Sequence, residues 1–127
     1  MRANLAPLVL TPGEPGGVGA EIAVKAWQGL RTQSEFCFAL IGDIDHLRKC
    51  CDHAALAANF QPIATLQEAA KFFTDSLPVL HRSLPATVTL GKFSSTTASW
   101  VLNGSVDAVE LCVAGHASAL VTNPIQK

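Results

Sequence analysis

Hydrophobic positions along the chain come as short continuous runs separated by longer stretches with helical spacing. Residues 5–10, Leu5-Ala6-Pro7-Leu8-Val9-Leu10, read as a buried strand. From Val18 to Leu30 the apolar residues Ile22, Ala23, Ala26, Trp27 and Leu30 recur at helical spacing. Glu21 falls in the first turn, where a carboxylate complements the helix dipole. Phe36-Cys37-Phe38-Ala39-Leu40-Ile41 is unbroken, the mark of a strand covered on both faces. Gly42-Asp43 turns the chain, and Asp43 is placed to cap a helix reaching about residue 54, with Ile44, Leu47 and Cys51 as its apolar stripe.

Residues 59–64 predict a short strand. Thr65 with Glu68 three residues on predicts a capping box and a helix to about Phe73. Leu77-Pro78-Val79-Leu80-His81 predicts a strand weakened by its proline. Residues 85–91 predict a loop or a further short strand. Ser94 or Ser95 opens a long helix to about Ala114, with Val101, Leu102, Val106, Val109 and Val113 expected to face inward. Gly115 is a helix-stop signal, and residues 118–122 form a last strand. Strands alternating with helices predict an α/β fold with a mostly parallel sheet and flanking helices.

Composition sharpens this picture. The chain has 127 residues, one domain at most. Charged residues make up 15%, below the roughly 25% usual for soluble domains. That deficit predicts surface buried against another domain or subunit. Net charge is −1 with no basic stripe, which argues against nucleic-acid binding. No apolar run is long enough to span a membrane, and the first apolar run is too short for a signal peptide, so the expected compartment is the cytoplasm. Cys37, Cys50, Cys51 and Cys112 form no C-x-x-C pair and read as small buried hydrophobes. His46, Cys50 and His53 share a helix face, but no distant ligand pair completes a zinc site. His81 and His116 sit near element ends, and Asp107 and Glu110 read as solvated charges rather than an acid–base pair.

The densest chemistry lies at Thr11-Pro12-Gly13-Glu14-Pro15-Gly16-Gly17-Val18-Gly19-Ala20-Glu21, with four glycines and two prolines in eleven residues. Such a loop between a first strand and a first helix is where open α/β sheets receive ligands. It is not a dinucleotide fingerprint, because Gly17-Val18-Gly19 lacks the third glycine. It is not a P-loop either, because no Lys-Ser or Lys-Thr follows. Two readings stay open: a different ligand loop using Glu14 and the amides of residues 16–19, or a tight turn without a ligand.

The wording of this loop resembles the T-x-G-[DE]-P-x-G-[IV]-G-P-E motif of the 4-hydroxythreonine-4-phosphate dehydrogenases of vitamin B6 synthesis. Leu40-Ile41-Gly42-Asp43 and Gly91-Lys92-Phe93-Ser94 resemble later parts of that family. So does Ala119-Leu120-Val121-Thr122-Asn123-Pro124-Ile125-Gln126-Lys127, against its T-x-P-[IV]-x-K signature. Ala20 stands where the family has proline, and Gln126 where serine or histidine is commoner. The resemblance covers the whole chain.

That resemblance implies the first part of a two-subdomain fold like isocitrate and isopropylmalate dehydrogenases, in a homodimeric enzyme. The implied reaction is NAD-dependent (or NADP-dependent) oxidation of the phosphorylated hydroxythreonine, followed by decarboxylation to 3-amino-2-oxopropyl phosphate. A divalent metal such as zinc, magnesium or cobalt assists. It further implies Thr11, Gly13, Glu14, Pro15 and Gly16 on the cofactor side of the cleft, and Thr122, Asn123 and Lys127 on the side of a phosphorylated substrate. Family members are much longer, and their metal-binding histidines lie beyond the last motif. Residues 1–127 are therefore expected to be the N-terminal portion of a longer dehydrogenase, without catalytic or metal-binding residues of their own and inactive alone. The competing expectation is a non-catalytic small-molecule binding or interaction module.

Overall fold

The computed structural model describes residues 6–33, 35–85, 88–92 and 95–124. In chain order the elements are β1 (Leu8–Leu10), α1 (Gly19–Leu30), β2 (Phe38–Gly42), α2 (Ile44–Ala54), β3 (Phe60–Pro62), α3 (Ala69–Phe72), β4 (Leu77–His81), α4 (Ala98–Val113) and β5 (Ala119–Val121). One-turn 3-10 segments, Leu66–Glu68 and Ser95–Thr97, lead into α3 and α4. The strands form one sheet in the order β3-β4-β2-β1-β5, and every pairing is parallel. The expected α/β class with flanking helices is the one observed.

β2 is buried along its whole length, as its unbroken apolar run requires. Successive strand residues point to opposite faces. A side chain at Gly42 would meet Leu47 of α2 and share a face with Leu40, whereas Gly104 of α4 approaches Ile41. Helices α2 and α4 thus cover opposite faces of the sheet. Trp27 of α1 is fully buried, and its indole N–H donates to the Phe73 carbonyl at 2.7 Å. Phe73 in turn meets Phe38 edge-on at 5.0 Å between ring centroids.

Local signals explain most boundaries. The Asp43 carboxylate accepts from the His46 N–H at 3.2 Å, the N-cap bond foreseen for α2. The Glu68 carboxylate accepts from the Thr65 and Ala64 N–H groups at 2.9 and 2.8 Å. α4 ends at Gly115, φ 81°, with the Gly115 N–H on the Cys112 carbonyl and the His116 N–H on the Leu111 carbonyl. α2 ends with the same pair of bonds around Ala55, which carries φ 55° without being glycine.

Three expectations are corrected. Pro78 does not put β4 at an edge: the strand lies inside the sheet between β3 and β2. Odd-numbered residues of β4 bond to β3, so the Pro78 nitrogen faces β2, and the β2–β4 pairing begins only at Val79 with Leu40. The missing donor therefore falls beside the Phe38 end of β2, where no β2–β4 pair forms. Asp107 is not simply solvated; it pairs with the Arg82 guanidinium at 3.1 Å. The largest correction concerns α4. Its buried positions are Gly104 and Ala108, while Leu102, Val106, Val109 and Val113 are exposed by 64, 47, 48 and 84%. Ser94, the other start proposed for this helix, lies outside the described residues.

Candidate functional site

The strand order changes direction at the junction of β1 and β5. β2 lies on one side of β1, while β5, reached from β4 through α4, lies on the other. Crevices at the carboxyl ends of strands at such a point are where open parallel sheets bind ligands. The loop after β1 carries Thr11 to Gly16, and the segment after β5 carries Thr122 and Asn123. The fold therefore sets the two end motifs side by side.

They are bonded as well as adjacent. The Thr11 N–H donates to the Val121 carbonyl at 3.0 Å, continuing the β1–β5 ladder past its last pair. The Asn123 N–H donates to the Thr11 hydroxyl oxygen at 3.2 Å, and the Asn123 side-chain amide donates to the Thr11 carbonyl at 2.9 Å. The Glu14 N–H donates to the Pro124 carbonyl at 2.9 Å. Gly13 has φ 68°, and a β-carbon there would lie 2.8 Å from both the Asn123 β-carbon and the Pro124 carbonyl oxygen. Glycine is required here for conformation and for space.

The far side of the loop is tied to α2, α4 and the loop after β4. The His46 Nε2–H donates to the Pro15 carbonyl at 2.7 Å, with the Cys50 sulfur 3.4 Å from the same nitrogen. The Thr97 hydroxyl donates to the Glu14 carboxylate at 3.4 Å, and both residues are buried. The Gly16 carbonyl accepts from the Gly91 N–H at 2.8 Å, and a β-carbon on Gly16 would come within 1.9 Å of the Lys92 carbonyl oxygen. Lys49 donates to the Val88 carbonyl at 2.8 Å. The close approach that these glycines permit is thus made by this chain's own backbone.

Of the residues singled out from the sequence, Thr11, Gly13, Glu14, Pro15, Gly16 and Asn123 are buried, and Thr122 is exposed beside them. Lys127 lies outside the described residues. Sequence reading missed His46, Lys49 and Thr97 as supports. Their partners lie 31, 39 and 83 positions away, and no local pattern signals such distant bonds.

One concavity borders the loop and another lies beside its supports on α2. One of about 280 Å³ lies between Gly16, Gly17, Val18 and Glu21 at the start of α1, Cys50 and His53 on α2, and Leu90 and Gly91. That is near the lower end of the roughly 300–1,000 Å³ usual for ligand sites. The first N–H groups of α1 have no intrahelical acceptor and carry the positive end of its dipole toward this side. A more open one of about 420 Å³ lies over Asp43, Asp45, His46, Lys49, Leu84, Pro85 and Val88.

The charged and thiol groups here are tuned by simple causes. Burial pushes the Asp43 carboxyl up. The N–H groups of Leu84, His46 and Asp45, with the nearby His81, outweigh burial and hold it below the ordinary carboxylate range. Burial raises the Cys50 thiol to about 11, helped by Cys51 and Glu21 and opposed by Lys49, so Cys50 stays protonated at neutral pH. Among the described residues, no group of three or more His, Cys, Asp or Glu side chains is placed to hold a metal ion.

Comparison with known proteins agrees with this architecture. A chain from Burkholderia phymatum described as a 4-hydroxythreonine-4-phosphate dehydrogenase superposes with a TM-score of 0.85 at 25% identity. The overlap covers 98% of this chain and 38% of that one. One from Klebsiella pneumoniae gives 0.81 at 20% identity, which speaks to the fold alone, with 97 and 38% covered. Among curated relatives, the 4-hydroxythreonine-4-phosphate dehydrogenase of Caulobacter vibrioides is 39% identical over 121 residues, spanning 95% of this chain and 35% of the relative. That of Methylorubrum extorquens is 37% identical over 131 residues, spanning 100 and 37%. The chain therefore spans little more than a third of the length of these relatives. No helix among the described residues is long and apolar enough to cross a membrane. The model for the pyridoxal phosphate biosynthetic protein PdxA matches residues 34–127, and the chain belongs to that family.

Proposed function

We propose that this chain is the N-terminal α/β portion of a 4-hydroxythreonine-4-phosphate dehydrogenase, supplying one wall of the catalytic cleft. The observation that carries this reading is the bonded junction of Thr11–Gly16 with Thr122–Pro124 at the crossover point of the sheet. An oxidation of this class needs a surface that holds a phosphorylated hydroxy-amino acid against a nicotinamide. The junction provides a rigid one, because its buried polar groups are already satisfied by the chain itself.

Thr122 and the amides at the start of α1 are the groups left facing outward, and they suit the anionic parts of a dinucleotide or a phosphorylated substrate. Thr11, Gly13, Glu14, Pro15, Gly16 and Asn123 act in this reading by holding those groups in place. Lys127 would add an ammonium toward the substrate's phosphate or carboxylate. NAD, or NADP, would accept the hydride, and that chemistry belongs to the cofactor. The concavity beside α1 is small for a whole dinucleotide, so further walls are needed.

The described residues do not fit a divalent metal, and no step is derived through one. Ligands for it, and the group that takes the alcohol proton, would come from outside this chain in a homodimeric parent enzyme. The chain alone is therefore expected to be inactive. A cytoplasmic setting accords with its four free thiols.

NMR titration of the 127-residue chain tests the proposal. NAD and the phosphorylated threonine should each perturb resonances of Gly17–Glu21 and Thr122–Asn123, with no turnover when zinc, magnesium or cobalt is added. Turnover by the chain alone would overturn the claim that its catalytic groups lie elsewhere. Unperturbed spectra with both ligands would overturn the assignment of this junction to the cleft.

A further inference from the structure

We propose that His81 is a proton-operated latch between β4 and the start of α2. Neutral, it fastens the two elements; protonated, it lets go. The inference concerns this corner of the fold and does not depend on the catalytic reading.

His81 closes β4 and stands in register with Gly42 at the end of β2. There the chain turns through Asp43 into α2, whose first residue is Ile44. The Ile44 N–H donates to the His81 Nδ1 at 3.1 Å, and the His81 Nε2 lies 3.0 Å from the Ser83 hydroxyl oxygen. A backbone amide nitrogen can only donate, so Nδ1 is the acceptor and carries no proton. The proton of the neutral ring is therefore on Nε2, where it meets Ser83. The same bond satisfies one of the N–H groups that a helix start leaves without an intrahelical acceptor. The Asp43 carboxylate satisfies another, on His46.

A proton added to Nδ1 turns this acceptor into a donor, and two N–H groups cannot bond to each other. Protonation and the Ile44 bond thus exclude one another. The side chain is exposed, so water delivers the proton without any opening of the fold. An imidazolium kept in place would also face the positive end of the α2 dipole.

The charged and titratable groups around the ring are already engaged. Asp43 attracts an imidazolium, but its carboxylate accepts from the His46 and Leu84 N–H groups. Arg82 is held by Asp107 of α4 at 3.1 Å and by the His81 carbonyl at 2.9 Å. On α2, Asp45 pairs with Arg48 at 3.6 Å, while His46 and Lys49 donate to the Pro15 and Val88 carbonyls. Release of His81 leaves the bond from Leu84 to Asp43 as the tie between the segment after β4 and the start of α2. Leu84 and Pro85 line the concavity of about 420 Å³, so the latch sets how firmly that wall is held.

NMR of the intact chain between about pH 8 and about pH 5, the range in which imidazoles change charge, tests the latch. At the alkaline end the ring nitrogens should report a proton on Nε2 and none on Nδ1, with the Ile44 amide proton displaced downfield by its bond. Acidification should move that amide upfield in step with the His81 ring. Its protection from exchange, corrected for the intrinsic rate, should fall about 5-fold. His81→Asn keeps an oxygen near the Nδ1 position and takes up no proton in this range, so it should hold the Ile44 amide at its alkaline position throughout. His81→Phe keeps a ring without an acceptor and should hold it at the acidic position throughout. Should His81→Phe fail to fold, the wild type and His81→Asn still decide. A ring that titrates while Ile44 stays put, or a ring that stays neutral across the range, would overturn the proposal. So would an Ile44 shift that persists in His81→Asn, which would assign the effect to Asp43 or His46.

Discussion

Helix α1 buries Ala23, Val24 and Trp27, and turns Lys25 and Gln28 to the outside. Helix α4 buries Gly104 and Ala108, and turns Leu102, Val106, Val109 and Val113 to the outside. Both are rich in apolar residues, yet one packs by its largest side chains and the other by its smallest. The cause is how near each helix comes to what it covers. A β-carbon on Gly104 would lie 2.7 Å from the Pro12 ring and 3.7 Å from Ile41. At that range no larger side chain fits between helix and sheet, so the branched residues of α4 are left pointing away. α1 stands off far enough to receive an indole. Apolar periodicity shows that a stripe exists, but the size of the residues on the opposite face decides which stripe is buried.

Deletion of one large side chain from each helix breaks the comparison most sharply. Trp27→Ala should cost about 3–5 kcal/mol, because it empties a filled site and removes the indole donor to the Phe73 carbonyl. Leu102→Ala should change stability by less than about 0.5 kcal/mol at dilute concentration, where the α4 face is bare. Chemical denaturation of the two variants at low micromolar protein measures both. A large loss for Leu102→Ala in a monomer would mean that the stripe is packed after all.

The same contrast explains what could be read in advance. The element order, the parallel sheet and the caps at Asp43 and Gly115 follow from local rules: unbroken apolar runs, a carboxylate before a helix, a glycine after one. The loop at 11–21 and the segment at 122–124 stood out because glycine, proline and asparagine have few alternative uses at strand ends. Their contact did not stand out, since Thr11 and Asn123 are 112 positions apart and meet only because β5 pairs with β1. Pro78 misled because β4 is held by β3 through its odd-numbered residues and joins β2 just past the proline, a matter of register. The α4 face misled because Gly104 read as a weak point in a helix, when it is the point of closest packing.

Of intermediate size is the effect at Asp43, which joins the α2 side of the junction to the loop after β4. Its carboxylate accepts from His46 N–H and, at 2.7 Å, from Leu84 N–H. Asp43→Ala should cost about 1–2 kcal/mol through the lost cap and the stranded amide. The folded carboxyl is held below its unfolded value of about 3.9. The folded state therefore binds this proton more weakly than the unfolded chain. Its stabilisation is complete above about pH 4 and drains as pH falls through the lowered folded value. Melting the wild type and Asp43→Ala from neutral pH down to pH 2 should bring the two curves together at the acid end. A constant gap would show that Asp43 acts without its charge.

The smallest effect is the one with opposite sign. Ala55 occupies the left-handed position after α2, φ 55°, the place Gly115 takes after α4. Both ends make the same two closing bonds, so the ends differ in residue and not in geometry. An L-residue pays about 1–2 kcal/mol for this conformation, and glycine gives back part of the gain through the greater freedom of its unfolded chain. Ala55→Gly should therefore stabilise the chain by about 0.5–1 kcal/mol, seen as a rise in melting temperature. Gly115→Ala should lower it by a similar amount. If Ala55→Gly lowered the melting temperature instead, the left-handed turn would have to be released in solution, and α2 would end by fraying, leaving α4 as the one helix of the pair with a fixed stop.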